Sequence, residues 1–476
     1  MQEYVPIFRQ FYTFITGNGL LASEPATLLL TQLVVRKALS DTVVEHKSCF
    51  EGAHALPAEH FLCNAAEAPL LPSFTHLLAS LSEQSVAAAT GAFDAAWVPA
   101  LLPHWRPLLS PIPTELEDAY LQPVMQSLTT LRLPITPAGE SSTTARFMKE
   151  WMRHMGELRR DSVPTPHHLA ALMAELLAPA AADAVFDPCA GCATLLTQAA
   201  EHAGSSATLY AQEVNWHNYL IGCANLLMHG FSAARFTCAD SIIAPAFAEE
   251  GRLQQFDKVM SIPPFGIKFP AEWAAAATVL GIPHGNRSAS VFLNHCLARC
   301  KTTTGKLVIC MPRSFLNACG REKEQCKYLL EANLISAIIQ LPRGATGIGN
   351  LLASLLVIDF ARAQEPHRGI LMVNATPLCP AANRGICTIP DAARREIVTC
   401  CNSRAEQPGF STVITRERIL ENEVKLLPEF YLADPAAVDP ECEDPAALAS
   451  RIAELERTLS EKQALLDSLL KDFCCS

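Results

Sequence analysis

The sequence predicts an α/β protein built on a doubly wound, mostly parallel sheet, with a helical N-terminal domain before it and a coiled-coil-like helix after it. Three observations lead there. From about residue 165 onward, short apolar runs alternate with segments of helical apolar spacing; parallel strands need crossover helices, which also cover both faces of the sheet. Before residue 160 the spacing is of helical type, as in Leu21 to Leu39, Thr114 to Leu128 and Thr144 to Leu158. After a proline-bearing acidic stretch, Leu448, Ile452, Leu455, Leu459, Lys462, Leu466, Leu469 and Phe473 recur at spacings of four and three, the seam of a helix that wants a partner. The domain bounds that follow are 1–160 for the helical N-terminal domain, 161–375 for the α/β domain, 376–445 for an irregular linker and helical region, and 446–476 for a C-terminal partner-binding helix.

Each element has its own warrant. Ala184 to Phe186, Thr208 to Tyr210, Ala234 to Thr237, Lys258 to Met260, Leu307 to Cys310, Leu334 to Ile339 and Leu355 to Ile358 are short runs rich in aliphatic and aromatic residues, expected as buried strands. Between them His167 to Leu177, Leu195 to His202, Asn215 to His229, Ser288 to Arg299 and Lys323 to Ala332 repeat apolar residues at three and four, expected as the covering helices.

Composition bounds the function. Half of the 476 residues are hydrophobic and 18% are charged, the profile of a globular chain. The net charge of −11 repels phosphate, so a nucleic-acid role needs a local basic surface or a partner. Residues 171–360 are nearly neutral, with 13 basic and 14 acidic side chains. Met1-Gln2-Glu3-Tyr4 opens no secretory leader and no run reaches membrane-span length, so a cytoplasmic location without membrane partners is expected. Eighteen cysteines spread along such a chain are expected as buried or free thiols.

Three carboxylates carry the chemistry. Asp187 closes the strand Ala184 to Phe186 and opens the turn Pro188-Cys189-Ala190-Gly191; Glu213 ends the next strand; Asp240 follows the third. In a doubly wound sheet these strand ends face one crevice. An amino-acid-bearing nucleoside fits them, with Asp187 toward a cationic amino group, Glu213 accepting from ribose hydroxyls and Asp240 from an adenine amino group. S-adenosylmethionine suits this set better than a dinucleotide, because a turn with one glycine has no pyrophosphate cradle. The Cys189-x-x-Cys192 pair has no second pair to complete a zinc site; these thiols are expected to pack in the turn, and no metal is expected.

With these segments in place the chain resembles the modification (M) subunit of type I restriction-modification systems, an N6-adenine DNA methyltransferase family with divergent catalytic motifs here. The resemblance runs over about residues 145–476. It is carried by Val163-Pro164-Thr165-Pro166, Asp187 to Leu196, Tyr210 to Gly230, Phe256 to Gly266, Gly305 to Val308, Arg321 to Pro342 and Glu421 to Tyr431. It implies a sheet of the S-adenosylmethionine-dependent methyltransferase type and methylation of adenine N6 in DNA. It places the cofactor on Thr165, Asp187, Gly191, Glu213 and Asp240, and a flipped adenine at Ile262, Pro263, Pro264 and Phe265, with the Phe265 ring on the base. The partners implied are a specificity subunit joined through the terminal helix, double-stranded DNA held mainly through the complex, a restriction subunit and a second M subunit. Arg159, Arg160, Lys268, Arg287 and Arg343 are candidate phosphate contacts, each also readable as solvated surface.

Three departures from the family pattern bear on activity. Ile262 stands where the family has a hydrogen-bond acceptor for the target amino group. Ala193 and Thr194 replace two glycines, which is expected to narrow the cofactor space and to disfavour positive φ. Val163-Pro164 replaces an aromatic pair. Two other readings therefore stay open: a catalytically degenerate homologue with a structural or DNA-positioning role in a complex, and a non-enzymatic interaction scaffold.

Overall fold

The structure, a computed structural model, describes residues 142–432 apart from 159–164, 205–206, 232–233, 250–251, 272, 274–281, 318, 349–350, 365–367 and 381–386, together with Arg457 and scattered positions within 28–41 and 132–135. The chain divides into two compact units, 1–432 and 433–476. The expected terminal seam falls in the second unit and outside the described residues; Thr114 to Leu128, Arg159, Arg160 and Val163-Pro164, in the first unit, also lie outside them.

Eleven strands are described: β1 (Ala184–Asp187), β2 (Thr208–Glu213), β3 (Arg235–Cys238), β4 (Ala248–Glu249), β5 (Arg252–Leu253), β6 (Lys258–Ser261), β7 (Lys306–Pro312), β8 (Ile335–Gln340), β9 (Ala353–Asp359), β10 (Ile370–Asn374) and β11 (Ser411–Ile414). Nine form one sheet in the order β11, β10, β8, β9, β7, β6, β1, β2, β3, and β4 with β5 makes a separate hairpin. Pairing is parallel from β3 through β2, β1 and β6 to β7, and again between β8 and β10. β9 runs antiparallel between β7 and β8, and β11 antiparallel to β10. The chain moves outward from β1 to β3, then returns across β1 to begin again at β6. That reversal opens a crevice at the carboxyl ends of β1 and β6.

The helices are α1 (Thr143–Leu158), α2 (His167–Leu177), α3 (Thr194–His202), α4 (Trp216–Met228), α5 (Ser288–Arg299), α6 (Arg313–Leu316), α7 (Gly320–Glu331), α8 (Asp391–Ser403), α9 (Arg416–Glu421) and α10 (Glu429–Leu432). Period-two alternation sorts each strand between two cores. In β7, Val308 and Cys310 join the side covered by α2, α3, α4 and α8, while Leu307, Ile309 and Met311 join the side covered by α5 and α7. The sheet reaches past residue 375, because β11 adds its outermost strand; Arg394 on α8 pairs with Glu175 on α2. The stretch read as irregular holds the outer edge of the sheet.

Burial lowers the pKa of His167 to about 3, of His168 to about 4 and of His295 to about 3. An unfolded chain takes up these protons from about pH 6.5 downward while the native state refuses them, so their contribution is intact above pH 6.5 and falls as pH drops toward 3. Asp187 has the opposite sign: burial raises its pKa to about 8, and the native state gains stability as pH falls from there. At pH 5 the histidines cost about 1–2 kcal/mol each against roughly 2 kcal/mol regained at Asp187. Urea titrations should therefore show lower stability at pH 5 than at pH 7, and Asp187→Asn should steepen the fall; a flat profile in both proteins would contradict the assignment.

Candidate active site

The loop after β1 is shaped by hydrogen bonds to the neighbouring strand ends. Ala190 N–H donates to Gln212 O (2.9 Å), which joins the loop to β2. The Ser241 hydroxyl donates to Pro188 O (2.6 Å), which joins it to the segment after β3. Gly191 takes φ +54°, and a side chain placed on it would meet nothing within 4 Å. The space above it is open. On the other side Gly222 of α4 lies so close to Gly191 O and the Phe236 ring that a Cβ there would sit 3.0 Å and 2.6 Å from them. Only glycine lets α4 approach the loop in this way.

Ala193 also adopts the left-handed conformation, φ 59° and ψ 23°, just before α3. The expectation that alanine would resist this geometry is corrected: the turn is over-determined by its hydrogen bonds, including Ala193 N–H to Ala190 O (2.7 Å). Ala193 and Thr194 are buried in the protein rather than lining the pocket, so they do not narrow it. A left-handed alanine carries about 1–2 kcal/mol of strain. Ala193→Gly should recover up to about 1 kcal/mol, less the cost of glycine's freedom in the unfolded chain, and raise the denaturation midpoint; an unchanged or lower midpoint would count against it.

Glu213 holds the loop from β2. Its Oε2 accepts from Gly191 N–H (2.8 Å) and its Oε1 from Asn215 N–H (2.8 Å), which fixes the carboxylate at the pocket wall. Burial raises its pKa, opposed by these same N–H donors. Asp240 turns the chain after β3, its Oδ1 accepting from Ile242 N–H (2.8 Å) and Ile243 N–H (3.0 Å). Its other oxygen accepts from no described residue.

Asp187 is placed differently. It is fully buried beneath the loop, its Oδ1 accepting from Cys189 N–H (2.9 Å), with the fully buried Ser261 hydroxyl beside it. Its pKa near 8 follows first from burial, opposed by the Cys189 N–H, reinforced by the Glu213 charge and opposed again by the Ser261 hydroxyl.

The resulting cavity, about 450 Å³, is of the size that takes a small organic ligand. Of the residues expected from sequence, Thr165, Gly191, Glu213, Asp240, Ile262, Pro263 and Pro264 line it together. Asp187 lies under its floor, and Phe265 is half-buried against the main apolar core instead of lining the wall. Sequence reading missed Asn218, Phe292 and the segment Thr346 to Ile348, which complete the lining. Asn218 was within reach, since it sits one turn into α4, where Asn215 caps the helix by accepting from its N–H (3.0 Å). Thr346 to Ile348 follow β8, six residues and more beyond its end, and nothing local marks them as part of the site. Cys189 and Cys192 also line the cavity as free thiols, and burial pushes the Cys189 thiol up.

A doubly wound sheet with a glycine turn after β1, a carboxylate ending β2 and another after β3 defines the class of S-adenosylmethionine-dependent methyltransferase folds. Within it, this chain belongs to the N-6 DNA methylase family, whose sequence profile matches residues 147–439. It is 24% identical over 294 residues to the methylase subunit of the type I restriction enzyme MpnII of Mycoplasma pneumoniae, covering 57% of this chain and 53% of that protein. It is 23% identical over 300 residues to the methylase subunit of the type I restriction enzyme MjaVIII of Methanocaldococcus jannaschii, covering 58% and 50%. The chain thus spans about half the length of these curated relatives. Its fold is similar to that of the type I restriction-modification system methyltransferase subunit from Streptococcus thermophilus, with a TM-score of 0.68 at 16% identity over 90% of this chain and 98% of that one. The resemblance to M subunits read from the sequence is borne out. No helix among the described residues is long and apolar enough to cross a membrane.

Proposed function

We propose that the chain binds S-adenosylmethionine in this pocket and works as a modification subunit that methylates N6 of a flipped adenine in DNA, together with a specificity subunit. The observation that carries the reading is that Glu213 and Asp240 line one cavity together with Ile262, Pro263 and Pro264. The residues fit the cofactor. Open space above Gly191 leaves room for it, the lone pairs that Glu213 keeps beyond its two backbone donors suit ribose hydroxyls, and the unshared oxygen of Asp240 suits an adenine amino group.

S-adenosylmethionine supplies an electrophilic methyl group. The chain supplies position and dryness. Asp187, below the floor, offers a negative charge to a cationic amino group once it ionises, so binding should release a proton near neutral pH. Pro263 and Pro264 hold the substrate wall rigid. The Ile262 side chain accepts no hydrogen bond, so the target amino group has one acceptor fewer to raise its nucleophilicity and transfer is slow. The net charge of −11 leaves DNA recruitment to the partner, and exposed Lys268, Arg287 and Arg343 add local phosphate contacts.

Calorimetry with S-adenosylmethionine, followed by a radiolabelled methyl assay with a specificity subunit and DNA, tests this. Saturable binding and label at adenine N6 are expected. Absence of binding would overturn the reading.

A further inference from the structure

The pocket is chemically divided along the sheet. Its carboxylates, Glu213 and Asp240, stand at the ends of β2 and β3, whereas the residues after β6 and β8 that line it are Ile262, Pro263, Pro264 and Ile348, with Phe292, which packs with Ile242, adding a further apolar side chain. Two hydroxyls belong to the lining on this side: Thr346, which is 4% exposed with its Oγ1 accepting from Ile348 N–H (3.3 Å), and Thr165, just before α2. Ser261, one residue before Ile262, is fully buried beside Asp187 below the floor, so its hydroxyl serves the other side of the loop. The backbone carbonyls of Pro263 and Pro264 receive no hydrogen bond from any described residue.

We propose that this half of the pocket takes an adenine already methylated at N6 in preference to adenine, so that the chain holds the marked base. The inference rests on the reading of the cavity as a place for a flipped adenine. An unmodified adenine brings two N–H donors on its exocyclic nitrogen. A proline carbonyl meets one of them. The other faces Ile262, and a donor left unmet in a dry pocket loses the hydrogen bond it had with water. Methylation removes that donor and puts in its place an apolar group that packs on the isoleucine. The two effects add to a preference of about tenfold to a few hundredfold. An acceptor at position 262 would reverse it, since the second N–H would then be matched and the methyl group would desolvate a polar side chain.

The test uses the full chain saturated with S-adenosylhomocysteine, which has no methyl group to transfer, and three fluorescein-labelled single strands. They differ at one central position, which carries adenine, N6-methyladenine or an abasic site. Single strands avoid both the unknown target sequence and the cost of opening a duplex. The methylated strand is expected to bind at least about tenfold more tightly than the adenine strand, and both differences to be read against the abasic one. Ile262→Asn should invert the order. Ile262→Val, a smaller apolar change that keeps the fold, should narrow the preference without inverting it. Equal binding of the first two strands, tighter binding of adenine, or no gain of either over the abasic strand would overturn the proposal. A calorimetric titration with S-adenosylhomocysteine reports on the carboxylate half separately: binding there without the base preference removes this inference alone, and failure there removes the methyl-donor reading.

Discussion

Ile262→Asn should raise the rate of methyl transfer by about ten- to several-hundredfold. The figure follows from restoring one hydrogen bond to a reacting amino group in a desolvated site, worth roughly 1–3 kcal/mol. Ile262 lines the same cavity as Glu213 and Asp240 and is only partly buried against the main apolar core, so a carboxamide there replaces some of that packing while keeping access to the cavity. Its neighbours favour the replacement: Pro263 and Pro264 keep the backbone rigid, and Ser261 stays buried whichever residue follows. The measurement is the single-turnover rate of label transfer from S-adenosylmethionine with the specificity subunit present. A rise confined to kcat, with cofactor affinity unchanged, would identify the missing acceptor as the defect. No change, in a protein that still binds cofactor, would place the limit elsewhere in the site.

Glu213→Ala should lower affinity for S-adenosylmethionine by at least about a hundredfold, the loss expected when two charge-assisted hydrogen bonds to ribose disappear together. The substitution also strips the partner from Gly191 N–H and Asn215 N–H, which Glu213 holds at 2.8 Å each, so the loop loses its shape as well as its acceptor. A stability cost of roughly 1–3 kcal/mol accompanies that loss. Glu213→Gln separates the two effects: its oxygen still accepts from one backbone N–H while its amide group opposes the other. Calorimetry on both variants checks the claim, with circular dichroism to confirm the fold. Undiminished binding in Glu213→Ala would remove the ribose role and with it the main support for the cofactor.

The parallel half of the sheet was legible because its strands are nearly all apolar. Val185 and Phe186, or Val259 and Met260, are buried on both faces, and a run of that kind has few other places to go. The crossover helices were legible from spacing, as in α2, where Leu169, Leu172, Met173, Leu176 and Leu177 are all buried. β10, α8 and β11 were harder to read. Ile370 to Asn374 follows a turn and precedes the irregular stretch from Pro377 to Pro390, so punctuation by proline and cysteine hid a strand that becomes one only by pairing with β8. The antiparallel direction of β9 was equally hidden, since apolar content says nothing of polarity.

The chain's sequence by itself determined the alternation of elements, the carboxylates that end β1 and β2 and follow β3, and the isoleucine just after β6. These are local properties, written in residue type and spacing. Tertiary structure decided which of them share a surface. It brought Glu213 and Asp240 to the cavity, left Asp187 under the floor with a pKa near 8, and supplied Thr346 to Ile348 from a loop more than 80 residues beyond Ile262. It also buried Arg299 completely against the carbonyls of Ala246, Phe247 and Gln254 and over the rings of Phe186 and Phe256. The physical reason is the same in each case: burial and hydrogen-bond satisfaction depend on groups distant along the chain, and periodicity records only the face that a residue shares with its neighbours.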